Sequence, residues 1–150
     1  MIIKTDPQKM DKISKTTFKD IYPLIANQNI EKEGLEQRIF SMIADAHQLP
    51  FNNDSIDLIV SRGSMFFWKD KEQCFREINR ILKSTGHAYI GGGFGSAKIK
   101  NKIISNNKKK NSINLNKPKI NINQLEKNIN NAKIRNYEII NNDSGLWVIL

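Results

Sequence analysis

The chain has 150 residues, of which 39% are hydrophobic and 26% charged. This composition suits one globular domain with a single core and excludes both a wholly disordered chain and one built of membrane spans. The formal charge of +9 is unevenly spread: residues 98–135 hold eleven Lys or Arg against the single acid Glu126, so the remainder is close to neutral. One cysteine, Cys74, makes neither a disulfide framework nor a zinc cage. The first residues lack the order of a signal peptide, and with the single thiol they lead us to expect a cytoplasmic protein.

In chain order, the first ten or so residues are polar and are expected to be loose. Thr16-Thr17 can cap a helix carrying Phe18, Ile21, Tyr22, Leu24 and Ile25. Pro23 should kink that helix or start a new one that runs to Glu33, with Gly34 as its stop. The short apolar run at 39–44, ending at Asp45, predicts a buried strand. Leu49-Pro50-Phe51 and Asn52-Asn53-Asp54-Ser55 read as loop and turn.

The β-branched run at 56–60 predicts a second strand, closed by the small-residue loop Ser61-Arg62-Gly63-Ser64. Asp70 is a good N-cap with Gln73 three residues on, and Cys74, Phe75, Ile78, Ile81 and Leu82 recur as one apolar stripe. Lys83-Ser84-Thr85-Gly86 should end this helix before a third strand at 87–91. Gly91-Gly92-Gly93 then leave the backbone free to turn sharply or to approach a ligand. Asn123 with Glu126 should open a helix with Leu125, Ile129 and Ala132 on one side. Two strands, near 137–140 and 146–150, flank the turn-forming residues 141–145 as an antiparallel hairpin. Together these elements predict an α/β fold: a sheet of parallel strands with an antiparallel C-terminal hairpin, helices packed on it. Residues 1–150 form one domain in this reading, with a basic, Asn-rich flexible insertion at about 98–120.

Several features have a plain reading. Met65-Phe66-Phe67-Trp68 is better explained as packing under the following helix than as a wall for a flat substrate. His47 and His87 stand forty residues apart with no third ligand nearby, which argues against a metal site. As a lone loop histidine, His47 reads either as exposed or as a general base. Gly93-Phe94-Gly95 fails the dinucleotide fingerprint, because Lys98 stands at its third glycine. Cys74 on an apolar stripe reads as a small buried hydrophobe. The basic stretch could neutralise phosphates, yet it has no aromatic between Lys98 and Arg135 and only one arginine, which argues against nucleic-acid binding.

Asp45-Ala46, Leu49-Pro50-Phe51, the run 55–61, Glu77 with Arg80-Ile81-Leu82-Lys83, and Gly86 before Ala88-Tyr89-Ile90 form an ordered set over about fifty residues. This set resembles the second half of class I S-adenosylmethionine-dependent methyltransferases, in particular the type 11 group that acts on small molecules. The C-terminal hairpin resembles the last two strands of that fold, and Thr17 to Gln28 its leading helix. The resemblance implies a reduced Rossmann-like sheet, S-adenosyl-L-methionine as cofactor and a small-molecule methyl acceptor as substrate. It further implies that Asp45 accepts a hydrogen bond from the adenine amino group, with the backbone of Ala46 at the ring edge. Asp45 otherwise reads simply as the residue that ends a strand and starts a turn.

By the same resemblance Ser61, Arg62 and Gly63 lie where cofactor and substrate pass. Arg62 could grip a carboxylate or phosphate, or be solvated or paired to an acid. No residue is assigned a catalytic role. The chain departs from the family where its first strand, Gly-rich loop and second strand would stand, as though the ends had been joined between Ala26 and Glu36. The strand at 39–44 should then either pair directly with that at 56–60 or be poorly held, and a partner protein could cover the exposed sheet edge. The alternative reading of function is a non-catalytic remnant serving as an interaction module or partner subunit.

Overall fold

The computed structural model describes residues 15–110 and 119–150, with side chains described from Leu24 and not over residues 107–110. Helix α1 (Lys15–Lys32) is one element through Pro23, and it is already helical at Lys15, so Thr16 and Thr17 lie inside it rather than capping it. Its end is set by backbone geometry: Gly34 takes φ +65°, Gly34 N–H bonds the Glu31 carbonyl at 2.9 Å, and Leu35 N–H bonds that of Ile30 at 3.0 Å. This pair of bonds satisfies carbonyls that the last turn leaves open.

No strand forms at 39–44. Ile39, Phe40 and Ile43 are 43%, 69% and 51% exposed. A strand exists only where a neighbour completes its ladder, and none of the described strands does so for this run. Of the two outcomes expected for it, direct pairing with the next strand is therefore the one that fails. The first strand is β1 (Ile56–Arg62), followed by a 3₁₀ turn (Met65–Phe67) and α2 (Lys71–Ile81). The Asp70 side chain accepts from Gln73 N–H at 2.9 Å, as its spacing predicts.

Strand β2 (Leu82–Gly93) follows α2 without a linker, so the expected stop at 83–86 and the expected glycine loop both lie within a strand. The early start comes from pairing of Ile56 with Leu82, after which a register shift restores the regular ladder. The glycines serve another strand, not a turn. A Cβ at Gly91 or Gly93 would overlap the carbonyl oxygens of Leu146 or Ser144, so only glycine lets the C-terminal hairpin approach this closely.

Part of the stretch expected to be a flexible insertion is helical, as α3 (Ala97–Lys110); residues 111–118 fall outside the described ones, as do the first ten. Helix α4 (Ile122–Asn131) is capped by Asn121, two residues before the expected Asn123: its side chain accepts from Gln124 N–H at 3.2 Å. Strands β3 (Glu138–Asn142) and β4 (Gly145–Ile149) form the predicted antiparallel hairpin.

The sheet order is β1-β2-β4-β3, with β1 parallel to β2 and the other pairs antiparallel. This is the expected α/β class. Ile59, Ala88, Ile90 and Val148 line one sheet face and are fully buried against Phe75, Ile78 and Ile81 of α2 and Leu125 and Ile129 of α4. Met65 and Trp68 extend that core, with the Trp68 and Phe75 rings edge to face at 5.7 Å. Met65, Phe66 and Trp68 thus pack, as their position suggested, while Phe67 is 36% exposed.

Candidate functional site

The carboxyl end of β1 and the loop at 45–51 hold the residues singled out from sequence. The loop is fixed by α2. Glu77 accepts Leu49 N–H on Oε2 at 2.8 Å, and Arg80 donates to the carbonyls of Leu49 at 2.9 Å and Phe51 at 2.7 Å. Arg80 also holds both Glu77 oxygens, at 2.9 and 2.8 Å. Those hydrogen bonds keep the Glu77 carboxyl below the ordinary glutamate range. A paired acid and base three residues apart on a helix is a common sequence feature, and nothing in that spacing announces a clamp on a loop some thirty residues earlier.

Asp45 opens this loop. Its Oδ1 accepts the backbone N–H of His47 at 2.9 Å and meets His47 Nδ1 at 2.7 Å. The backbone bond, and next the ring bond, hold the Asp45 carboxyl below its ordinary value. Its other oxygen, Oδ2, has no partner among the described residues, and the side chain is 69% exposed. Ala46 next to it is buried in the core. His47 is not a free base: Nε2 accepts the Asp70 N–H at 3.4 Å, so both ring nitrogens are engaged.

Ser61 is buried and shares a hydrogen bond with the Ser64 hydroxyl. Arg62 donates from Nη2 to the Gly93 carbonyl at 3.1 Å, so it ties the end of β1 to the end of β2 instead of standing free or pairing with an acid. Gly63 adopts φ +88°, a conformation that favours glycine, and donates to the Gly91 carbonyl at 2.6 Å. The five residues therefore fall into two bonded groups, 45–47 joined to α2 and 61–64 joined to β2. Among the described residues no hydrogen bond or ion pair links one group to the other.

A groove of about 500 Å³ between the first turns of α2 and α4 shares Asp70 with the His47 network, yet its lining includes none of Asp45, Ser61, Arg62 or Gly63. Cys74 is fully buried, and burial pushes its thiol up to about 12, which makes it inert. Among the described residues no group of His, Cys, Asp or Glu could hold a metal ion, and no helix is long and apolar enough to cross a membrane.

A family profile described as a methyltransferase domain matches residues 15–90. The chain belongs to this methyltransferase family. The cofactor of the family is S-adenosyl-L-methionine, and the methyltransferase GfsG of Streptomyces halstedii is 38% identical over 66 residues, 44% of this chain and 24% of its own length. The chloroplast 2-methyl-6-phytyl-1,4-hydroquinone methyltransferase 2 of Oryza sativa subsp. japonica is 32% identical over 92 residues, 61% of this chain and again 24% of its length. Among solved structures, a candidate S-adenosyl-L-methionine-dependent methyltransferase from Methanococcus maripaludis is 40% identical with a TM-score of 0.73, covering 85% of this chain and 60% of that one. This chain thus spans about a quarter of the length of these two curated relatives.

The residues present suit one end of the cofactor. Asp45 offers an ionised, exposed carboxylate oxygen without a partner, which can accept from an amino group. Nothing lies within 4 Å of where a Cβ on Gly63 would stand, so space is open at the end of β1. For the ribose and methionine ends the described residues supply no counterpart: no strand or Gly-rich turn precedes β1.

Proposed function

We propose that this chain acts in the transfer of a methyl group from S-adenosyl-L-methionine to a small molecule, with the cofactor's adenine seated at the loop of Asp45. The observation that carries this reading is the free, ionised Oδ2 of Asp45 on a loop clamped to α2. When bound, the cofactor supplies an electrophilic methyl group on a sulfonium; the protein's part is to orient and to exclude water. Asp45 accepts from the adenine amino group, Ala46 presents backbone at the ring edge, and Ser61, Arg62 and Gly63 border the carboxyl end of β1, where open α/β sheets take ligands. Such displacement needs little acid–base help, which agrees with a His47 whose ring is fully engaged.

The names of the relatives, a hydroquinone methyltransferase among them, support a small-molecule acceptor. We take residues 1–150 as a single reduced domain working in the cytoplasm. The second reading is a non-catalytic subunit or interaction module, favoured by the exposed Leu58 and Val60 on the edge strand β1 and by the lack of a Gly-rich turn before it. Radiolabelled S-adenosyl-L-methionine incubated with a panel of quinols, phenols and small amines tests the first reading. Methyl transfer that falls at least tenfold in Asp45→Ala is expected; a folded chain that transfers nothing to any acceptor points to the second.

A further inference from the structure

The cluster around His47 holds more than a loop in place. Its backbone N–H and ring Nδ1 both meet the same oxygen of Asp45, at 2.9 and 2.7 Å. Its Nε2 faces a backbone donor, Asp70 N–H, so that nitrogen carries the lone pair and Nδ1 carries the proton. Its carbonyl accepts from Gln73 Nε2 at 3.1 Å, while the Gln73 backbone N–H caps onto Asp70 Oδ1. Every polar group of His47 is thus bonded, two to Asp45 and two to the cap and first turn of α2. The ring is about one-third exposed, and the carboxylate it holds is open to solvent.

We propose that His47 is a positioning residue, which pins Asp45 through Oδ1, leaves Oδ2 facing outward, and anchors that carboxylate to the rigid start of α2. The arrangement removes the rotational freedom an exposed aspartate would otherwise lose on binding a ligand. Its bearing on cofactor binding rests on the reading of Asp45 as the adenine contact; the pinning itself does not. The direction of the Asp45 shift agrees, since its two leading causes are the bonds from His47.

Two substitutions separate the two sides of the ring. An asparagine at 47 places its amide near Nδ1 and keeps a donor for Asp45, whereas a glutamine reaches the Nε2 position and keeps an acceptor for Asp70 N–H. The Asp45 carboxyl is titrated by NMR in the full chain and in His47→Asn and His47→Gln, and each form is then titrated with S-adenosylhomocysteine by calorimetry. Positioning predicts that Asp45 stays low in His47→Asn and rises part of the way toward its ordinary value in His47→Gln, where the backbone N–H of residue 47 still bonds Oδ1. It also predicts affinity near wild type for the first and about two- to tenfold weaker for the second, the range set by freeing one side chain. If Asp45 titrates alike in both variants, or rises in His47→Asn alone, the proposal is overturned and His47 is only a brace for α2. If Asp45 follows the predicted order while no form binds S-adenosylhomocysteine, the positioning stands and the cofactor reading falls.

Discussion

The two faces of the sheet are built from the same strands and have opposite fates. On one, Ile59, Ala88, Ile90 and Val148 are fully buried beneath α2 and α4. On the other, Leu58, Val60 and Tyr89, with Val60 and Tyr89 paired across β1 and β2, are 57%, 58% and 43% exposed. Parallel strands normally read as unbroken apolar runs because both faces are covered, and Leu58-Ile59-Val60 has that character although only one face is clad by described residues. An apolar residue in such a strand therefore indicates the layer the fold family builds, not the burial this chain attains.

Paired substitutions test this contrast first. Ile90→Ala on the clad face should cost about 2–5 kcal/mol, and Val60→Ala on the open face no more than about 0.5 kcal/mol, measured by urea denaturation. Equal costs would mean that something covers β1 in solution, and the comparison would break. Next in size, Gly93→Ala should cost about 1–3 kcal/mol by pushing a methyl group into the backbone of the hairpin turn. It should also speed amide exchange along β4 while sparing α2. Asp70→Ala should cost about 1 kcal/mol through loss of the α2 cap, with the clad face otherwise intact.

The smallest effect is a dependence on acidity. Because the folded Glu77 carboxyl lies below its unfolded value, its clamp stabilises fully above the unfolded pKa, about 4.3, and is lost as pH falls through the lower folded value. Glu77→Gln should flatten the acid side of the stability curve over that window; an unchanged slope would show that the clamp carries no linkage.

Signals carried by local chemistry were legible in the sequence. The Asp70 cap, the stripe of α2 and the hairpin follow from spacing alone, because capping and amphipathic periodicity act within one element. The failures share a cause in tertiary context. Residues 39–44 have strand composition but no ladder partner, and Gly91 and Gly93 look like loop residues until the hairpin that presses on them is known. The site was half legible. Asp45 stood out by resemblance, while the engagement of both His47 nitrogens depends on Asp70, twenty-three residues away, and no spacing rule reports it.

Asp45 and the end of β1 together form the proposed cofactor seat. Backbone amide NMR of the full chain, titrated with S-adenosylhomocysteine, tests that most directly. The predicted result is saturable shifts confined to 45–47 and 61–63, lost in Asp45→Ala. Shifts centred on the groove between α2 and α4, or none in a chain whose spectrum is that of a folded protein, would contradict it.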